Sequence, residues 1–418
     1  MVNKKEVLKK IITLLLVLFS FLFCYCQQNK LQYYVENALQ NSPLLNDYKN
    51  QLQINAFDSL LIRASLKPQV NFTSTNSYAP VVKGYGYDGA ITNGTNVSAL
   101  FGVNKQFVNK KNLGAQFDNL NLLSRSIYNN VKITEQDLKH SIINQYITAY
   151  GTLLQVNFGN EIKSLLNKEE IILKKLTQNN VYKQSDYLAF LVTLQQQDFT
   201  VQQTTAQYKN DIAMLNYITG IADTSAIMLD EPDINLPAVL DSSAAVYLQQ
   251  YNIDSLKFVN SKRLADINYR PKIGASADAG YFSSLAVMPY KNFGTSVGFS
   301  VVVPIYDGRQ KQLQYRKIDM QEKTRQANKS FFLNQYRQQT MQYMQQLNAA
   351  DAIIKNINAQ LKYTQTLIEV NEKLLASGEI KITDFVLALN NYITAKNLIT
   401  QNKINKFQLI NQLNYRIK

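Results

Sequence analysis

Residue types that perform catalysis or bind metals are sparse in this 418-residue sequence, and they are not grouped. His140 is the single histidine, and its place inside a helical pattern is typical of a helix surface. The pairs Asp88-Gly89 and Asp307-Gly308 indicate turns rather than active-site carboxylates. The sequence also lacks a phosphate-binding loop with its lysine. It therefore predicts neither an enzyme nor a bound cofactor or metal ion.

The two cysteines, Cys24 and Cys26, close an N-terminal segment that is basic and then apolar. Its apolar run from Ile11 to Phe23 is typical of a secretory signal peptide, and it is shorter than the roughly 20 residues of a membrane-spanning helix. We expect removal of residues 1–26, with a mature chain that begins near Gln27 and holds no disulfide or cysteine ligand. The alternative is a lipoprotein acylated at Cys24 or Cys26, which the bulky residues before both cysteines disfavour.

The chain is basic, with a formal net charge of +14. Such a balance can indicate a nucleic-acid or anionic-lipid partner. Here, however, the basic residues after the signal segment are scattered among Asn and Gln, without a run longer than two lysines. This pattern is typical of a solvated surface, so nucleic acid is not predicted as a partner.

The chain after the signal segment contains two copies of one pattern. The motif at 66–70 recurs at 269–273, and the motif at 183–187 recurs at 381–385 with nearly the same offset. We interpret this as a duplicated module of about 200 residues, in which each copy reads helix, strand, strand, long helix, tight turn and helix. The copies span 27–220 and 242–418, and a proline-containing linker at 221–241 joins them.

Each copy contains a long segment in which apolar residues are spaced alternately by four and three positions, the heptad spacing of coiled coils. The first seam comprises Leu113, Phe117, Leu120, Ser124, Ile127, Val131, Thr134 and Leu138. The second comprises Tyr343, Leu347, Ala350, Ile354, Ile357, Leu361, Thr364 and Ile368. We predict two helices of about 100 Å each, paired with shorter return helices as antiparallel hairpins. The predicted long helices are 110–178 and 309–376, and the return helices are 185–219 and 383–416.

Four segments alternate between apolar and small polar residues with the period of a β-strand, and we predict strands at 68–83, 95–108, 271–287 and 292–305. The apolar positions near the end of the third strand and in the fourth are Tyr281, Phe293, Val297, Phe299, Val301 and Val303. Such strands are expected in a membrane β-barrel with lipid outside and water inside. A half-buried soluble sheet gives the same alternation. The signal peptide and the length of the flanking helices favour the membrane.

Four strands per chain cannot close a barrel. Each open edge in hydrocarbon leaves unpaired amides, which cost several kcal/mol each. Closure therefore requires further copies: two chains supply eight strands and three supply twelve, and the alternation itself does not choose between them.

Several short motifs, in this order and spacing, resemble the TolC-like family of outer membrane efflux proteins. They are Leu215-Asn216-Tyr217-Ile218-Thr219-Gly220, Arg270-Pro271-Lys272-Ile273 through Val303-Pro304-Ile305-Tyr306-Asp307-Gly308, and Ser377-Gly378-Glu379-Ile380 through Thr383-Asp384-Phe385-Val386. The resemblance implies a mainly α fold with a membrane β-barrel, in which a homotrimer shares twelve strands and extends a coiled-coil tunnel into the periplasm. It also implies a passive outer-membrane exit channel, used with an inner-membrane transporter and a periplasmic adaptor in tripartite efflux or type I secretion.

The turns between long and return helices are predicted to reverse the chain at Asn180 and Gly378, because both residue types accept positive φ. In the TolC-like family, an acidic residue six positions after the turn glycine lies at the narrow end of the tunnel, and Asp384 matches it. The resemblance therefore implies that Asp384 lies at the channel entrance.

The sequence departs from the family's latch at two positions near this turn. Leu387 stands where a second acidic residue is expected, and Ile380 stands where an arginine is expected. We expect Lys381 or Lys183 to pair with Asp186 instead, so these three residues are also assigned to the channel entrance.

Two other classes of protein remain as alternatives. A secreted coiled-coil filament or adhesin stalk explains the heptads, and an amphipathic membrane-deforming protein explains the charge and the helices. Neither explains four alternating strands or their duplication. The exported substrate is not indicated, because drugs, metals and unfolded polypeptides all pass through tunnels of this architecture.

Overall fold

A computed structural model of the chain describes residues 30–417, except residues 81, 84, 86–93, 224, 226, 237–244 and 286–287. The predicted signal segment with both cysteines, the Asp88-Gly89 turn and the predicted strand residue Val287 lie outside the described residues. The described part is mainly helical and contains a four-stranded sheet, which confirms the predicted mainly α fold with four strands per chain.

The described residues form seven α-helices and four strands. In chain order these are α1 (Leu31–Asn41), α2 (Pro43–Ser65), β1 (Gln69–Tyr78), β2 (Thr95–Phe107), α3 (Lys110–Gln178), α4 (Gln184–Thr219), α5 (Ala245–Ile267), β3 (Lys272–Ser283), β4 (Phe293–Val302), α6 (Gln310–Ser377) and α7 (Ile382–Ile417). The long helices α3 and α6 begin and end within one residue of the predicted bounds. None of the helices in the described part has a stretch that is both long and apolar enough to cross a membrane.

Strands β1 and β4 end earlier than their sequence patterns predict, and a proline follows each end. β1 stops at Tyr78 instead of residue 83, two residues before Pro80, and β4 stops at Val302 instead of residue 305, two residues before Pro304. Proline supplies no N–H to a strand ladder. Val303, assigned by its sequence position to the lipid-facing strand, therefore lies just beyond β4.

Strand β3 also ends early, at Ser283 instead of residue 287. Leu285 has φ +62, a left-handed conformation that interrupts extended backbone. Its N–H donates to Ser283 Oγ at 2.9 Å, which fixes the turn. Leu285, which falls within the predicted strand 271–287, is instead a turn residue.

The sheet is antiparallel in the order β1-β2-β3-β4, and its register brings residues of like character together. One face consists of the even-numbered residues of β1 and the odd-numbered residues of β2, β3 and β4, and we call it the apolar face. The opposite set of residues forms the polar face, which is rich in Gly, Ser, Thr, Asn and Gln. β1 and β4 are the outer strands, and each has one edge without a partner strand in the described chain.

The described residues group into two compact units, and neither unit corresponds to one copy of the sequence pattern. The first comprises 30–46, 131–246 and 332–417, and the second comprises 47–130 and 247–331 and contains the sheet. Each unit draws segments from both copies. In the sheet, for example, β2 of the first copy pairs with β3 of the second.

Polar side chains tie the helices of the second unit together. The Asn55 and Asn260 side-chain amides donate to the backbone carbonyls of Leu120 and Ala115, at 2.8 and 3.0 Å. Arg325 of α6 donates to the Tyr251 carbonyl of α5 at 3.1 Å. Within α6 it also donates to Glu322 Oε2 at 2.7 Å, and this ion pair lowers the pKa of Glu322 to about 2. These bonds hold the helices that flank the sheet.

Candidate functional site

The first helix turn (179–183) joins α3 to α4 and reverses the chain at Asn180. Asn180 has φ +60, in the left-handed region that Asn and Gly favour. The Val181 N–H donates to the Leu176 carbonyl at 2.9 Å, and the Asn180 N–H donates to the Thr177 carbonyl at 3.0 Å. This pair of bonds is a Schellman motif, which satisfies the last carbonyls of the helix.

The second helix turn (378–381) joins α6 to α7 and contains the same two hydrogen bonds as the first helix turn. Gly378 has φ +81. The Glu379 N–H donates to the Leu374 carbonyl at 2.9 Å, and the Gly378 N–H donates to the Leu375 carbonyl at 3.1 Å. The structure thus places both predicted turn residues, Asn180 and Gly378, at positive φ.

The return helices also begin alike. The Lys183 carbonyl accepts from the Asp186 N–H at 3.1 Å, and the Lys381 carbonyl accepts from the Asp384 N–H at 3.0 Å. Asp186 and Asp384 therefore lie in the first turn of α4 and α7. A negative side chain is favourable there, because the helix dipole is positive at its N-terminus.

The two helix turns contact each other directly. The Tyr182 hydroxyl of the first turn lies 2.9 Å from the carbonyls of Leu375 and Ile380, on either side of Gly378. A Cβ added at Gly378 would lie 2.8 Å from Val181 Cγ1. The second turn therefore requires glycine for its backbone conformation, and a Cβ there would also require the Val181 side chain to move.

The charged residues at the turns form no ion pairs among the described residues. Asp384, Lys381 and Lys183 are exposed, and Asp186 is half-buried. Among the described residues of this single chain, neither Lys183 nor Lys381 forms an ion pair with Asp186, in contrast to the expected pairing. The Ser185 hydroxyl lies 3.3 Å from Asp186 Oδ1.

Asp384 has a different environment from a helix-capping residue. A capping side chain accepts a hydrogen bond from the first backbone N–H groups of its helix. Within the described chain the Asp384 carboxylate accepts no such bond, and the residue is exposed. Its charge is therefore available to ions or to other copies of the chain.

A core of fully buried side chains supports the two turns. Leu173, Phe190, Leu375 and Phe385 each have 0% exposure, and they come from α3, α4, α6 and α7. The Phe190 and Phe385 rings lie 6.5 Å apart. These four residues, one from each of the four helix ends, thus pack in one cluster, which fixes the positions of both turns.

A buried carboxylate that the heptad pattern does not reveal lies among these helices. The Glu169 side chain is 1% exposed, and Lys168 Nζ lies 3.8 Å from Glu169 Oε1 and 3.6 Å from Glu372 Oε2. Burial, and then the Glu372 carboxylate, raise the pKa of Glu169. Glu169 Oε2 has no hydrogen-bond partner within the described chain. Sequence reasoning missed this group because a glutamate in a helical segment normally lies on the solvated face.

The predicted lipid-facing residues of the sheet lie on the apolar face, and they are exposed in the single chain. The exposed fractions are 74% for Phe293, 77% for Val297, 80% for Phe299 and 65% for Val301. Tyr281 is half-buried, and its ring packs on that of Phe293 at 5.3 Å. No element of the described chain covers this face.

Strand β1 contributes to the apolar face in a way that sequence reasoning missed. Val70 and Phe72 lie on this face, but Ser74 and Asn76 follow them at the next two positions and interrupt the alternation. The Phe72 ring lies 5.0 Å from the Phe101 ring of β2. Only the strand register, which depends on the partner strand, reveals that contact.

His140 occupies a half-buried position on α3. Its ring packs on that of Tyr415 at 4.4 Å, and its Nε2 lies 3.2 Å from Asn144 Nδ2. Among the described residues, no group of three or more His, Cys, Asp and Glu side chains is placed to hold a metal ion.

No protein-family model matches the sequence, and no curated protein matches it. Solved structures do match. The outer membrane protein VceC from Vibrio cholerae aligns with a TM-score of 0.72 at 14% identity, covering 93% of this chain and 95% of that chain. The CmeC outer membrane channel of Campylobacter jejuni aligns with a TM-score of 0.71 at 12% identity, covering 93% and 85%. The MtrE outer membrane channel of Neisseria gonorrhoeae aligns with a TM-score of 0.67 at 11% identity, covering 93% and 89%. This chain therefore has the TolC-like fold of outer membrane channels.

Proposed function

We propose that this chain forms a passive exit channel in the outer membrane, with the apolar face of its sheet against lipid. The observation that carries the proposal is the separation of the two faces of the sheet. Within the described strands, Lys105 is the one charged residue on the apolar face, and large side chains such as Val297 and Phe299 are exposed there. Soluble monomers rarely expose contiguous apolar patches larger than a few hundred Å².

The unpaired outer edges of β1 and β4 support a shared barrel. In hydrocarbon, each unpaired amide costs several kcal/mol, so the edges must find partner strands. Pairing of β4 in one copy with β1 in the next removes every edge once the ring closes. Three copies give twelve strands, the number that the TolC-like resemblance implies.

The polar face lines the water-filled passage in this arrangement. Its small residues, such as Gly274, Ser276, Gly298 and Ser300, lie opposite one another on β3 and β4 and project little into the passage. A barrel with a polar interior of this kind conducts water and solutes.

The helix turns form the periplasmic entrance of the passage in the proposed channel. Asp384 is exposed and makes no side-chain hydrogen bond in the described chain, and its N–H donates to the Lys381 carbonyl at the start of α7. Three copies bring three such carboxylates together. Like charges that converge repel one another and raise the affinity of the opening for cations.

Transport energy comes from partners, because the sequence has no nucleotide-binding loop. The TolC-like resemblance indicates an inner-membrane transporter and a periplasmic adaptor, in either tripartite efflux or type I secretion. A passive channel needs only an open passage and a surface on which the adaptor can dock.

The channel itself is tested by extracting the protein from outer membranes in detergent and measuring its native mass and its conductance in planar bilayers. The expected result is a trimer that conducts ions. A monomer or dimer with intact strands, or a trimer without conductance, would contradict the proposed function.

The entrance is tested with Asp384→Asn in the same bilayers. We expect lower cation selectivity and relief of block by trivalent metal ions added from the periplasmic side. Glu379→Gln is the matched control, because Glu379 is an exposed acidic residue of the adjacent second helix turn and its substitution removes the same charge. Equal effects of the two substitutions would argue against a ring formed by Asp384.

A further inference from the structure

The polar face of the sheet carries two large apolar side chains near one end. Leu100 on β2 and Phe282 on β3 lie on this face, and Phe282 is 60% exposed. A third apolar residue of the face, Val302, lies at the opposite end of β4. An exposed aromatic ring on a face otherwise built from small polar residues is unfavourable in water, and such features mark binding surfaces.

Two glycines create a cavity beside these side chains. Gly280 pairs with Leu100 on one side and with Gly294 on the other. A Cβ at Gly280 would lie 2.1 Å from the Ala99 carbonyl oxygen, so this position accepts only glycine. The resulting cavity of about 430 Å³ lies over both glycines, with Leu100 and Phe282 among its walls.

A carboxylate lies in the same cavity. Asp278 is next to Gly280 on the polar face, and its Oδ2 accepts a hydrogen bond from Ser296 Oγ at 2.5 Å. Asp278 is the one acidic residue on the polar face of the described strands, and it forms no ion pair within the described chain. The cavity therefore combines one uncompensated negative charge with apolar walls.

Hydrogen bonds at the end of β3 fix the backbone at Phe282, which forms one wall of the cavity. The Phe282 N–H donates to the Asn292 carbonyl at 3.1 Å. The Asn292 side chain in turn donates to Ser283 Oγ at 2.6 Å. The cavity is thus formed before any ligand arrives, which lowers the entropy cost of binding.

We propose that this cavity is a binding subsite for organic cations that carry an apolar group. Asp278 attracts the positive charge, and the Phe282 ring and Leu100 contact the apolar part, with a cation–π contribution from the ring. The volume falls within the range of about 300–1,000 Å³ typical of small-molecule sites. The inference rests on the proposed function, because a subsite on the polar face lies in the transport path only if that face lines the passage.

The test uses the full-length channel in planar bilayers, with benzyltrimethylammonium as the probe. Benzenesulfonate supplies an anion with the same ring, and tetramethylammonium supplies a cation without it. We expect benzyltrimethylammonium to block the current at concentrations at which the other two ions do not. Phe282→Ala and Asp278→Asn should each weaken this block about fivefold, the change expected for loss of one cation contact at a partly exposed site.

Ser276→Ala is the matched control, because Ser276 lies on the same face of β3 outside the cavity. Phe282→Leu keeps the apolar volume without the ring, so it should give intermediate block. It also provides a second test of the Phe282 contact if the alanine variant misfolds. Conducting channels in which all three ions block equally, or in which Phe282→Ala and Phe282→Leu leave the block unchanged, would overturn the subsite. Absence of conductance in the unmodified protein would instead contradict the proposed channel.

Discussion

In the four-helix cluster at the helix turns, Phe190 and Phe385 are fully buried within one chain, whereas in strand β4 Val297 and Phe299 are 77% and 80% exposed. Both regions are built from large apolar side chains with a regular period. In the helices, buried apolar residues of α3, α4, α6 and α7 pack against one another, so a single chain supplies its own partners. In the sheet, no described element covers the apolar face.

The contrast separates two sources of stability. The turn cluster gains its free energy from burial within the chain. The sheet requires surroundings outside the chain, namely lipid and neighbouring strands in the proposed channel. Substitutions in the turn cluster should therefore impair folding of the chain, whereas substitutions in the sheet should impair assembly of the channel.

The largest effect is expected for Phe385→Ala in the turn cluster. Removing a fully buried phenylalanine leaves a cavity and should lower the free energy of unfolding by about 3–5 kcal/mol. Thermal unfolding of the helices, followed by circular dichroism in detergent, measures it. Asn390→Ala, on the exposed side of the same helix, is the control, and a loss of equal size there would indicate that the cluster is not the source of stability.

The next effect separates the two faces of the sheet. Val301→Arg places a charge on the proposed lipid face, at a cost of about 2–4 kcal/mol near the membrane midplane, whereas Ser300→Arg places it in water. We expect trimer yield to fall for Val301→Arg, and for Phe299→Arg in the same way, but not for Ser300→Arg. Equal losses on both faces would favour a soluble sheet.

A smaller effect compares the two helix turns with each other. Gly378→Ala forces a Cβ into a left-handed position, which costs about 1–2 kcal/mol before the contact with Val181 is counted. Asn180→Gly keeps the conformation that the first turn already has, so the midpoint of thermal unfolding should hardly move. If Gly378→Ala were as mild as Asn180→Gly, the close packing of the turns would be in doubt.

The smallest effect is expected for Tyr182→Phe, which removes the hydroxyl that joins the two helix turns. Loss of one net hydrogen bond should lower the free energy of unfolding by about 0.5–1.5 kcal/mol. Tyr363→Phe provides the comparison, because Tyr363 is 76% exposed. Identical midpoints for both variants would show that the Tyr182 hydroxyl does not stabilise the turns.

The sequence predicts local features well where the chain itself determines them. The long helices α3 and α6 follow from heptad spacing over part of each segment and from the absence of internal proline, and positive φ at Asn180 and Gly378 follows from residue type. The strand ends were predicted less well. The alternation of apolar and polar residues continues past Pro80, Pro304 and the turn at Leu285, where the hydrogen-bonded strands end.

Features that depend on partner elements were not predictable. The place of Phe72 on the apolar face depends on pairing with β2, and the burial of Glu169 depends on how four helices pack. The cavity at Gly280 requires the register of β2, β3 and β4 together. In each case the residue type is visible in the sequence, but its neighbours come from distant segments.

The unpaired edges of β1 and β4, beside an exposed apolar face, have a consequence for biogenesis. Such an edge is a template on which chains aggregate. For the proposed three-copy channel, newly translocated copies need a chaperone that shields the sheet until three copies meet. Assembly is then a competition between correct edge pairing and aggregation, and the concentration of unassembled chains decides its outcome. Overproduction without added chaperone capacity should therefore yield aggregates rather than more channels.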